Sequence, residues 1–410
     1  MIKRVLIRQL VKNAVGGGWG YDAPRPGTDQ VAVIRGADFP FIAVGDIARL
    51  PIRWEARKKL SSRLLEPGDI VLEISGGTTD RPTGRTIYVT ERLLAKIGLP
   101  TIPASFCRLV RIDSNRADPR YVYWWLQGMY ASGRTWSYQN RSTGIANFQF
   151  EHFLDTEKVQ LPPLEVQRGI AATLGALDDK IESNRRVIEL IEDLVRAHFD
   201  KLFDVGLDHD GVSLSSLVVV NPQRRLRYGD PTTYVGMSSL SEFSAEIYQW
   251  DTKPAGSGSR FANGDVLMAR ITPCLENGKT AIVDMLKPDE VGWGSTEYIV
   301  LGPRGDIKTP WIYCLARHDE VRSFAIRSMT GSSGRQRFKA DRFDEYKITP
   351  PDVAAIEEFN AIAEPLFSRM TQLRDEGLRA MALRDTLLPE LLSGRIRVPE
   401  ARAAVQEAVG

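Results

Sequence analysis

The chain has 410 residues, of which 43% are apolar and 26% charged, and its formal net charge is +2. This length predicts two or more domains with sizeable cores, and the composition is that of an ordinary soluble protein. No apolar run is long enough to span a bilayer, the first residues are too charged for a signal peptide, and the three distant cysteines (Cys107, Cys274 and Cys314) indicate neither a disulfide framework nor a zinc site. We therefore expect a cytoplasmic protein with no membrane contact.

Residues 1–161 are predicted to form a mixed domain of strands and helices. Short β-rich runs punctuated by Gly and Pro occur in two stretches, VAVIRGADFPFIAVGDI and LLEPGDIVLEISGGTT. A short helix with an aromatic face follows in DPRYVYWWLQGMYASGR. It leads into a polar loop that has two arginines and no acid, RTWSYQNRSTGIANF.

Residues 162–204 are predicted to form one long helix. After Pro162-Pro163 about forty residues pass without another proline, and apolar residues recur at alternating spacings of four and three, the pattern of a coiled-coil seam. The seam positions are Ile170, Leu174, Leu177, Ile181, Asn184, Ile188, Ile191, Val195, His198 and Leu202. At 1.5 Å per residue this helix would be roughly 60 Å long.

Residues 205–349 repeat the plan of residues 1–161. RFANGDVLMARITP parallels LLEPGDIVLEISGG, so that Gly264-Asp265 matches Gly68-Asp69. Further on, the loop RSMTGSSGRQRFKADRF parallels RSTGIANFQFEHF. In these two loops Phe338 and Phe343 keep the spacing of Phe148 and Phe153. The chain is therefore predicted to be a tandem repeat with a period of about 190 residues.

Residues 350–394 are predicted to form a second long helix, and residues 395–410 a C-terminal tail. The helix begins after Pro350-Pro351, and Pro365 is expected to kink or restart it. Its seam positions are Ile356, Phe359, Ala363, Leu366, Met370, Leu373, Gly377, Ala380, Leu387 and Leu391, with Arg384 as a charged exception. The first helix leads into the second domain and the second helix leaves it, so paired seams require antiparallel helices with a domain at each end.

Charge is distributed unevenly along the chain. Residues 163–203 carry a net charge of −2 and residues 352–392 carry −4, so the rest of the chain carries +8. Positive charge is thus concentrated outside the two helices, where a polyanion would bind.

Polar loops at equivalent places in the two repeats predict a DNA interface. Residues 321–340 contain five bases and no acid, and Arg and Gln side chains can address both phosphates and base edges. A basic loop alone is usually only solvated surface, but here it recurs in both repeats. The candidate DNA-binding residues are Thr78, Thr79, Arg81, Arg85, Arg134, Gln139, Asn140 and Arg141 in the first repeat, and Arg270, Lys279, Arg327, Arg335, Gln336, Arg337 and Lys339 in the second.

No set of residues predicts catalysis. The sequence contains neither GxxxxGK[ST] nor HExxH. The stretch Asn221-Pro222-Gln223-Arg224 begins like the Asn/Asp-Pro-Pro-aromatic motif of amino-methyltransferases, but Gln and Arg replace the proline and the aromatic residue, so we interpret it as a turn. We expect no catalytic, cofactor-binding or metal-binding residues and no enzyme activity.

The chain resembles the DNA-specificity subunits of type I restriction-modification enzymes. The resemblance is carried by LPPLEVQRGIAATLGALDDKIESNRRVIELIEDLVRAHFDKLF in the first helix, and by FNAIAEPLFSRM and LRDTLLPELLSGRIRV in the second. It implies an α+β fold in which two target recognition domains are separated by two long antiparallel coiled-coil helices in a pseudo-twofold tandem repeat.

The same resemblance implies the partners and the function. Each recognition domain would read one half of a bipartite, asymmetric site in double-stranded DNA. Two methyltransferase subunits would assemble with the chain, together with two ATP-dependent restriction subunits if these are encoded. S-adenosylmethionine and ATP/Mg would then bind to the partners. Two alternatives stay open: a stand-alone methyltransferase with degenerate motifs, and a non-specific structural spacer.

Overall fold

The computed structural model describes residues 3–43, 45–78, 80–142, 145–332 and 334–409. The chain divides into two compact units: unit 1 comprises residues 1–183 and 379–410, and unit 2 comprises residues 184–378. Both divisions fall inside a long helix, so each unit contains part of two long helices.

Unit 1 begins with a mixed set of strands and short helices. Its strands are β1 (Lys3–Leu6), β2 (Val11–Gly16), β3 (Thr28–Ile34), β4 (Ile52–Ala56), β5 (Ile70–Glu73), β6 (Ser75–Gly77), β7 (Thr86–Tyr88), β8 (Thr101–Pro103), β9 (Cys107–Ile112), β10 (Gln139–Ser142), β11 (Ile145–Phe148) and β12 (Lys158–Leu161). Its short helices are α1 (Phe39–Ile42), α2 (Arg57–Arg63), α3 (Glu91–Ile97), α4 (Pro119–Ala131) and α5 (Phe150–Thr156).

The central sheet of unit 1 is antiparallel with strand order β2-β9-β5-β7. Successive side chains of a strand point to opposite faces, so β5 contributes Ile70 and Leu72 to one core cluster and Val71 to another. A second sheet has the order β4-β3-β8, with β3 and β8 parallel. Helix α4 begins at Pro119, and its aromatic residues Trp124 and Trp125 are buried.

Helix α6 (Leu164–Leu202) is continuous over 39 residues. The seam residues of its first half (Ile170, Leu174, Leu177 and Ile181) are buried in the core of unit 1. Those of its second half (Ile188, Ile191 and Val195) are buried in the core of unit 2. Beyond Val195 the buried face widens. His198 and Leu202 are half-buried, with the His198 ring stacked on Phe359 and Leu202 packed against the core of unit 2, and Phe199 and Phe203 are buried beside them.

Unit 2 continues with elements of the same kinds. Its strands are β13 (Val212–Ser213), β14 (Val219–Val220), β15 (Pro231–Val235), β16 (Asp251–Pro254), β17 (Arg260–Phe261), β18 (Val266–Ala269), β19 (Thr280–Ile282), β20 (Gly292–Gly294), β21 (Tyr298–Gly302) and β22 (Lys347–Ile348). Its short helices are α7 (Leu214–Leu217), α8 (Thr309–Arg317) and α9 (Asp319–Arg327).

The central sheet and the second sheet of unit 1 recur in unit 2, where the second sheet carries the additional strand β17. The central antiparallel sheet has the order β14-β21-β18-β19, and the second sheet pairs β15 with β20 in parallel and with β16 in antiparallel fashion. A two-stranded ribbon, β1-β12 in unit 1 and β13-β22 in unit 2, also recurs. The fold is therefore a tandem repeat of mixed α and β structure.

The two units also share individual hydrogen bonds in the turn that precedes β5 in unit 1 and β18 in unit 2. Gly68 and Gly264 have φ angles of 97° and 90°, values that favour glycine. The following aspartates, Asp69 and Asp265, are both buried. Each carboxylate accepts a hydrogen bond from the backbone N–H three residues earlier, at 2.7 and 2.8 Å. The sequence match of the two Gly-Asp pairs thus corresponds to one turn built twice.

Helix α10 (Val353–Ser393) is continuous through Pro365 and is followed by α11 (Val398–Val409). The first half of α10 packs with the second half of α6 in the core of unit 2, and the second half of α10 packs with the first half of α6 in the core of unit 1. The two helices are therefore antiparallel. The buried seam residues of α10 include Phe359, Met370 and Leu373, whereas Leu366 is half-buried against the same core.

Two polar seam residues are hydrogen-bonded within their units. Asn184 is buried, and its Nδ2 donates to the carbonyl of Leu373 at 2.9 Å. Arg384 Nη1 donates to Asp178 Oδ1 at 2.8 Å. The segment 395–410, expected as a tail, contains helix α11, and its Ala401 and Val405 belong to the core of unit 1. Among the described residues no helix is long and apolar enough to cross a membrane.

Replacing Gly377 by alanine is expected to stabilise unit 2. Gly377 is buried inside α10, and a Cβ atom added there meets no atom within 4 Å. Since glycine is about 1 kcal/mol less favourable than alanine in a helix interior, the free energy of unfolding should rise by about 0.5–1 kcal/mol. Chemical denaturation followed by circular dichroism measures this change.

Gly169→Ala is the matched control for that substitution. Gly169 is also buried in a long helix, but a Cβ atom there lies 2.9 Å from Val398 Cγ1. The gain in helix propensity is then opposed by overpacking. If both substitutions stabilise the protein equally, the open space beside Gly377 has no energetic consequence.

Candidate nucleic-acid interface

In unit 1 the polar loop at residues 134–148 lies beside a second polar loop, residues 76–85, which contains the candidates Thr78, Thr79, Arg81 and Arg85. Strands β10 and β11 form a hairpin, and β11 pairs with β6, where Ala146 stands opposite Gly77. Gln139, on β10, bridges to the second loop, because its Oε1 accepts a hydrogen bond from the backbone N–H of Thr83 at 2.9 Å. Asn140 is exposed on the same strand. The sheet thus combines into one surface two segments that are distant in sequence.

Glu73 is hydrogen-bonded to Arg85 and lies 3.9 Å, Oε1 to Nη1, from Arg81. Arg85 donates to Glu73 through Nε at 2.8 Å and through Nη2 at 2.6 Å, and Nη2 also donates to the carbonyl of Gly36. Burial opposes the charge of Arg85, but the hydrogen bonds and charge of Glu73 raise its pKa. The Arg85 side chain is only 13% exposed, so it supports the loop from inside. Arg81 is more exposed, and its Nη2 donates to the carbonyl of Gly76 at 2.7 Å.

The remaining candidates of unit 1 are Arg134, Thr78, Thr79 and Arg141. Arg134 is exposed, with Nη1 3.5 Å from Glu157 Oε1 and its guanidinium 4.9 Å from the centre of the Trp125 ring. Thr78 is exposed, and its backbone N–H donates to the carbonyl of Arg81 at 2.8 Å. Thr79 lies outside the described residues, and of Arg141 only the backbone is described.

In unit 2 the basic loop folds against the segment that follows β18. Arg337 pairs through its backbone with Thr330 and forms an isolated β-bridge with Ile271. The N–H of Phe338 donates to the carbonyl of Arg270 at 2.8 Å, just as the N–H of Phe148 donates to the carbonyl of Ile74 in unit 1. The loop therefore occupies the same place in both units. In unit 2 isolated bridges stand where unit 1 has the hairpin sheet.

These contacts bring three of the predicted bases to one cleft. The cleft has a volume of about 420 Å³ and is lined by Arg270, Thr330, Arg337, Lys339, Ala340 and Asp341. Arg335 and Lys339 are exposed, as is Arg327 at the end of α9. Gln336 is half-buried, and its carbonyl accepts a hydrogen bond from the N–H of Thr272 at 3.1 Å. Lys279 is directed elsewhere, because its Nζ donates to the carbonyl of Met237 at 3.0 Å.

Glu297 joins two arginines of this cleft. It accepts hydrogen bonds from Arg337 Nη2 at 2.6 Å, from Arg337 Nε at 2.9 Å and from Arg270 Nε at 3.2 Å. Hydrogen bonds from Arg337, opposed by burial and assisted by Arg270, lower the pKa of the Glu297 carboxyl. The carboxylate is therefore ionised at neutral pH and offsets part of the charge of the cleft.

The sequence analysis missed Glu73 and Glu297. Residues 134–148 and 321–340 contain bases and no acid, yet Glu297 from another segment pairs with Arg337, and in unit 1 Glu73 pairs with Arg85. The signal that could have found them is their position beside the core strands: Glu73 ends β5, and Glu297 directly precedes β21.

The residues of the methyltransferase-like stretch have structural contacts. Asn221, with a φ angle of 49°, accepts a hydrogen bond on Oδ1 from the N–H of Val300 at 3.0 Å. Arg224 donates to the buried carboxylate of Asp265 through Nε at 2.9 Å. Within the described ranges, no group of three or more His, Cys, Asp or Glu residues is arranged to hold a metal ion.

Comparisons with known proteins identify relatives of this chain. A family model for the type I restriction modification DNA specificity domain matches residues 34–193. The specificity subunit of the type I restriction enzyme EcoEI from Escherichia coli is 27% identical over 242 residues, which are 57% of this chain and 39% of the relative. The specificity subunit of the type I restriction enzyme EcoAI from Escherichia coli is 27% identical over 240 residues, which are 56% of this chain and 39% of the relative. The match thus spans about two fifths of the length of these relatives.

A solved structure shares the fold. The S subunit of a type I restriction-modification system from M. genitalium superposes with a TM-score of 0.56 at 15% identity, over 95% of this chain and 96% of that chain. Residues 34–193 therefore resemble a type I restriction modification DNA specificity domain, and the chain as a whole has a fold similar to that of the M. genitalium S subunit.

Proposed function

We propose that the chain is a DNA-specificity subunit that reads a bipartite, asymmetric target, one half-site with each unit. The observation that supports this proposal best is one scaffold with two different surfaces. The units share the strand order of their central sheet and their Gly-Asp turn. At the equivalent place, however, unit 1 presents Gln139 and Asn140 on a hairpin, whereas unit 2 presents Arg270 and Arg337 in a cleft. Different donors on one scaffold suit different base sequences.

The proposal includes partners and a place of action. Two methyltransferase subunits would bind S-adenosylmethionine, and two restriction subunits, where encoded, would bind ATP and Mg²⁺. This chain would hold no cofactor and would position its partners on cytoplasmic DNA. The known relatives are themselves named as specificity subunits of restriction enzymes, which supports this division of labour. The direct test is a selection of preferred targets from a random pool of DNA duplexes by the assembled complex, which should return two fixed half-sites separated by an unread gap.

The purified chain is expected to transfer no methyl group to DNA without partners. The stretch at residues 221–224 lacks the second proline and the aromatic residue of the methyltransferase motif, and Arg224 is hydrogen-bonded to Asp265. Incubation of the chain with labelled S-adenosylmethionine and duplex DNA measures this activity. Addition of the methyltransferase subunits from the same source is the positive control.

Either alternative function has its own signature in these experiments. Methyl transfer by the chain alone, or its saturable binding of S-adenosylmethionine, would favour a stand-alone methyltransferase. A selection that returns no sequence preference would favour a non-specific spacer.

A further inference from the structure

Arg337 is held in one position by its surroundings. Its backbone N–H donates to the carbonyl of Thr330 at 2.9 Å, and its carbonyl accepts from the N–H of Thr330 at 3.0 Å. The N–H of Arg270 donates to the carbonyl of Glu297 at 3.0 Å, so a backbone hydrogen bond also joins Glu297 to Arg270. The guanidinium is then fixed by the Glu297 carboxylate. Such fixation lowers the entropy that a side chain loses on binding a ligand.

The contacts of Arg337 leave part of its guanidinium unused. An arginine has five N–H donors. Glu297 accepts from Nε and Nη2, and the carbonyl of Arg335 accepts from Nη1 at 3.2 Å. One N–H on Nη1 and one on Nη2 therefore have no acceptor among the described residues. The side chain is 39% exposed and lines the open cleft, so these two donors are accessible to a ligand.

The carboxylate beside Arg337 favours a neutral ligand over an anion. A phosphate that bound these two donors would approach the negative charge of Glu297, and the two anions would repel each other. A guanine edge offers two acceptors, O6 and N7, without a net charge, and bidentate arginine is its commonest partner. Arg327, Arg335 and Lys339 are different, because they are exposed and have no ion-pair partner in the described part of the chain. Unpaired cations of this kind suit phosphates.

We propose that Arg337 reads a guanine in the half-site of unit 2, with Glu297 as the residue that positions it, while Arg327, Arg335 and Lys339 bind the phosphate backbone. This inference rests on the proposed function, since it assigns a base to one of the two half-sites. It separates Arg337 from Arg327, Arg335 and Lys339 by a single criterion, the presence of a carboxylate partner.

The test selects DNA targets with the full chain in complex with the methyltransferase subunits of its own source. The variants are Arg337→Ala and Arg337→Lys, with Arg335→Ala as the matched control from the same loop. Both Arg337 variants should lower the preference for one G·C pair in one half-site by about 5- to 150-fold, because lysine keeps the charge but lacks the fork. Arg335→Ala should leave all preferences unchanged and reduce the slope of log affinity against log salt by about one.

The positioning role of Glu297 has a separate readout. In Glu297→Gln the side chain keeps its shape but loses its charge, so the arginines are freed to bind phosphate. The preference for the same G·C pair should fall, while affinity for random duplex should rise with a salt slope about one unit steeper. A purely structural role for Glu297 would instead lower the melting temperature and weaken all binding together.

The outcomes separate this inference from the proposed function. If the wild-type complex selects no sequence, the proposed function fails and the inference fails with it. If the wild type selects two half-sites but Arg337→Lys keeps every base preference, Arg337 contacts phosphate and only the inference is overturned. Equal loss of preference in both half-sites after Arg337→Ala would also overturn it. Where the Ala variant loses its fold by circular dichroism, the Lys variant decides.

Discussion

Replacing Arg374 by alanine is expected to lower the free energy of unfolding of unit 2 by about 3–5 kcal/mol, the usual loss when one partner of a buried ion pair is removed. The Arg374 side chain is 1% exposed on helix α10. Its Nη1 contacts Asp284 and lies 3.2 Å from Glu246, and its Nη2 lies 2.9 Å from Asp375. The substitution leaves Glu246 and Asp284 together without a cation. Hydrogen exchange of unit 2 amides and chemical denaturation measure the loss.

The destabilisation by Arg374→Ala should be larger at pH 8 than at pH 5. Burial, assisted by the charge of Asp284, raises the pKa of Glu246 to about 8, and Arg374 opposes that rise. A carboxyl whose folded pKa exceeds its unfolded value of about 4.3 stabilises the fold below that unfolded value, and the contribution is lost as the pH rises through the folded pKa. Without Arg374 the pKa of Glu246 rises further, so ionisation costs more at alkaline pH.

Arg369→Ala is the matched control on the same helix. The Arg369 side chain is 50% exposed, and its Nη1 lies 3.4 Å from Glu376. An exposed pair of this kind contributes about 0–1 kcal/mol at most. Similar losses for Arg369→Ala and Arg374→Ala would show that the buried cluster carries no special energy.

The second large effect is expected from the two equivalent aspartates. Asp265→Ala should destabilise unit 2, and Asp69→Ala should destabilise unit 1, each by about 3–5 kcal/mol. Asp265 is fully buried and pairs with Arg224. Asp69 is almost fully buried, and it accepts hydrogen bonds from Arg111 Nε at 2.7 Å and from Arg111 Nη2 at 2.8 Å. Each substitution also removes the acceptor for the N–H three residues earlier. Hydrogen exchange resolved by peptide shows which unit opens.

This pair of variants also tests whether the units act as modules. Asp265→Ala should weaken recognition of one half-site, and Asp69→Ala that of the other. Asp193→Ala, on the exposed face of α6, is the control and should change stability by less than about 0.5 kcal/mol. If either buried variant opens both units equally, the division into two cooperative units is wrong.

The long helices were predictable because their signal is local and periodic. The spacing from Ile170 to Val195 gives residues that are buried, whereas His198 and Leu202, at the same spacing, are only half-buried. A straight helix has 3.6 residues per turn, so a seam of period 3.5 drifts by about 20° per heptad. The buried face therefore moves on to Phe199 and Phe203, a shift that no single heptad reveals.

The site was predictable in its bases but not in its acids. Arg270, Arg337 and Lys339 were chosen from loop composition, and the structure places them in one cleft. Glu297 is separated from Arg337 by 40 positions, and Glu73 from Arg85 by 12, so only the pairing of strands brings each acid to its arginine. The Gly-Asp repeat, by contrast, was visible because one turn requires both residues next to each other.

The division of the chain inside its long helices has a consequence for synthesis on the ribosome. Ile170, Leu174, Leu177 and Ile181 are buried in unit 1 together with Ala380, Leu387 and Leu391. The ribosome makes about 5–20 residues per second, so roughly 10–40 s pass between the synthesis of Ile181 and that of Ala380. Unit 2 is one contiguous segment and is complete before unit 1 can close. During that interval the first half of α6 lacks the part of its core that Ala380, Leu387 and Leu391 supply.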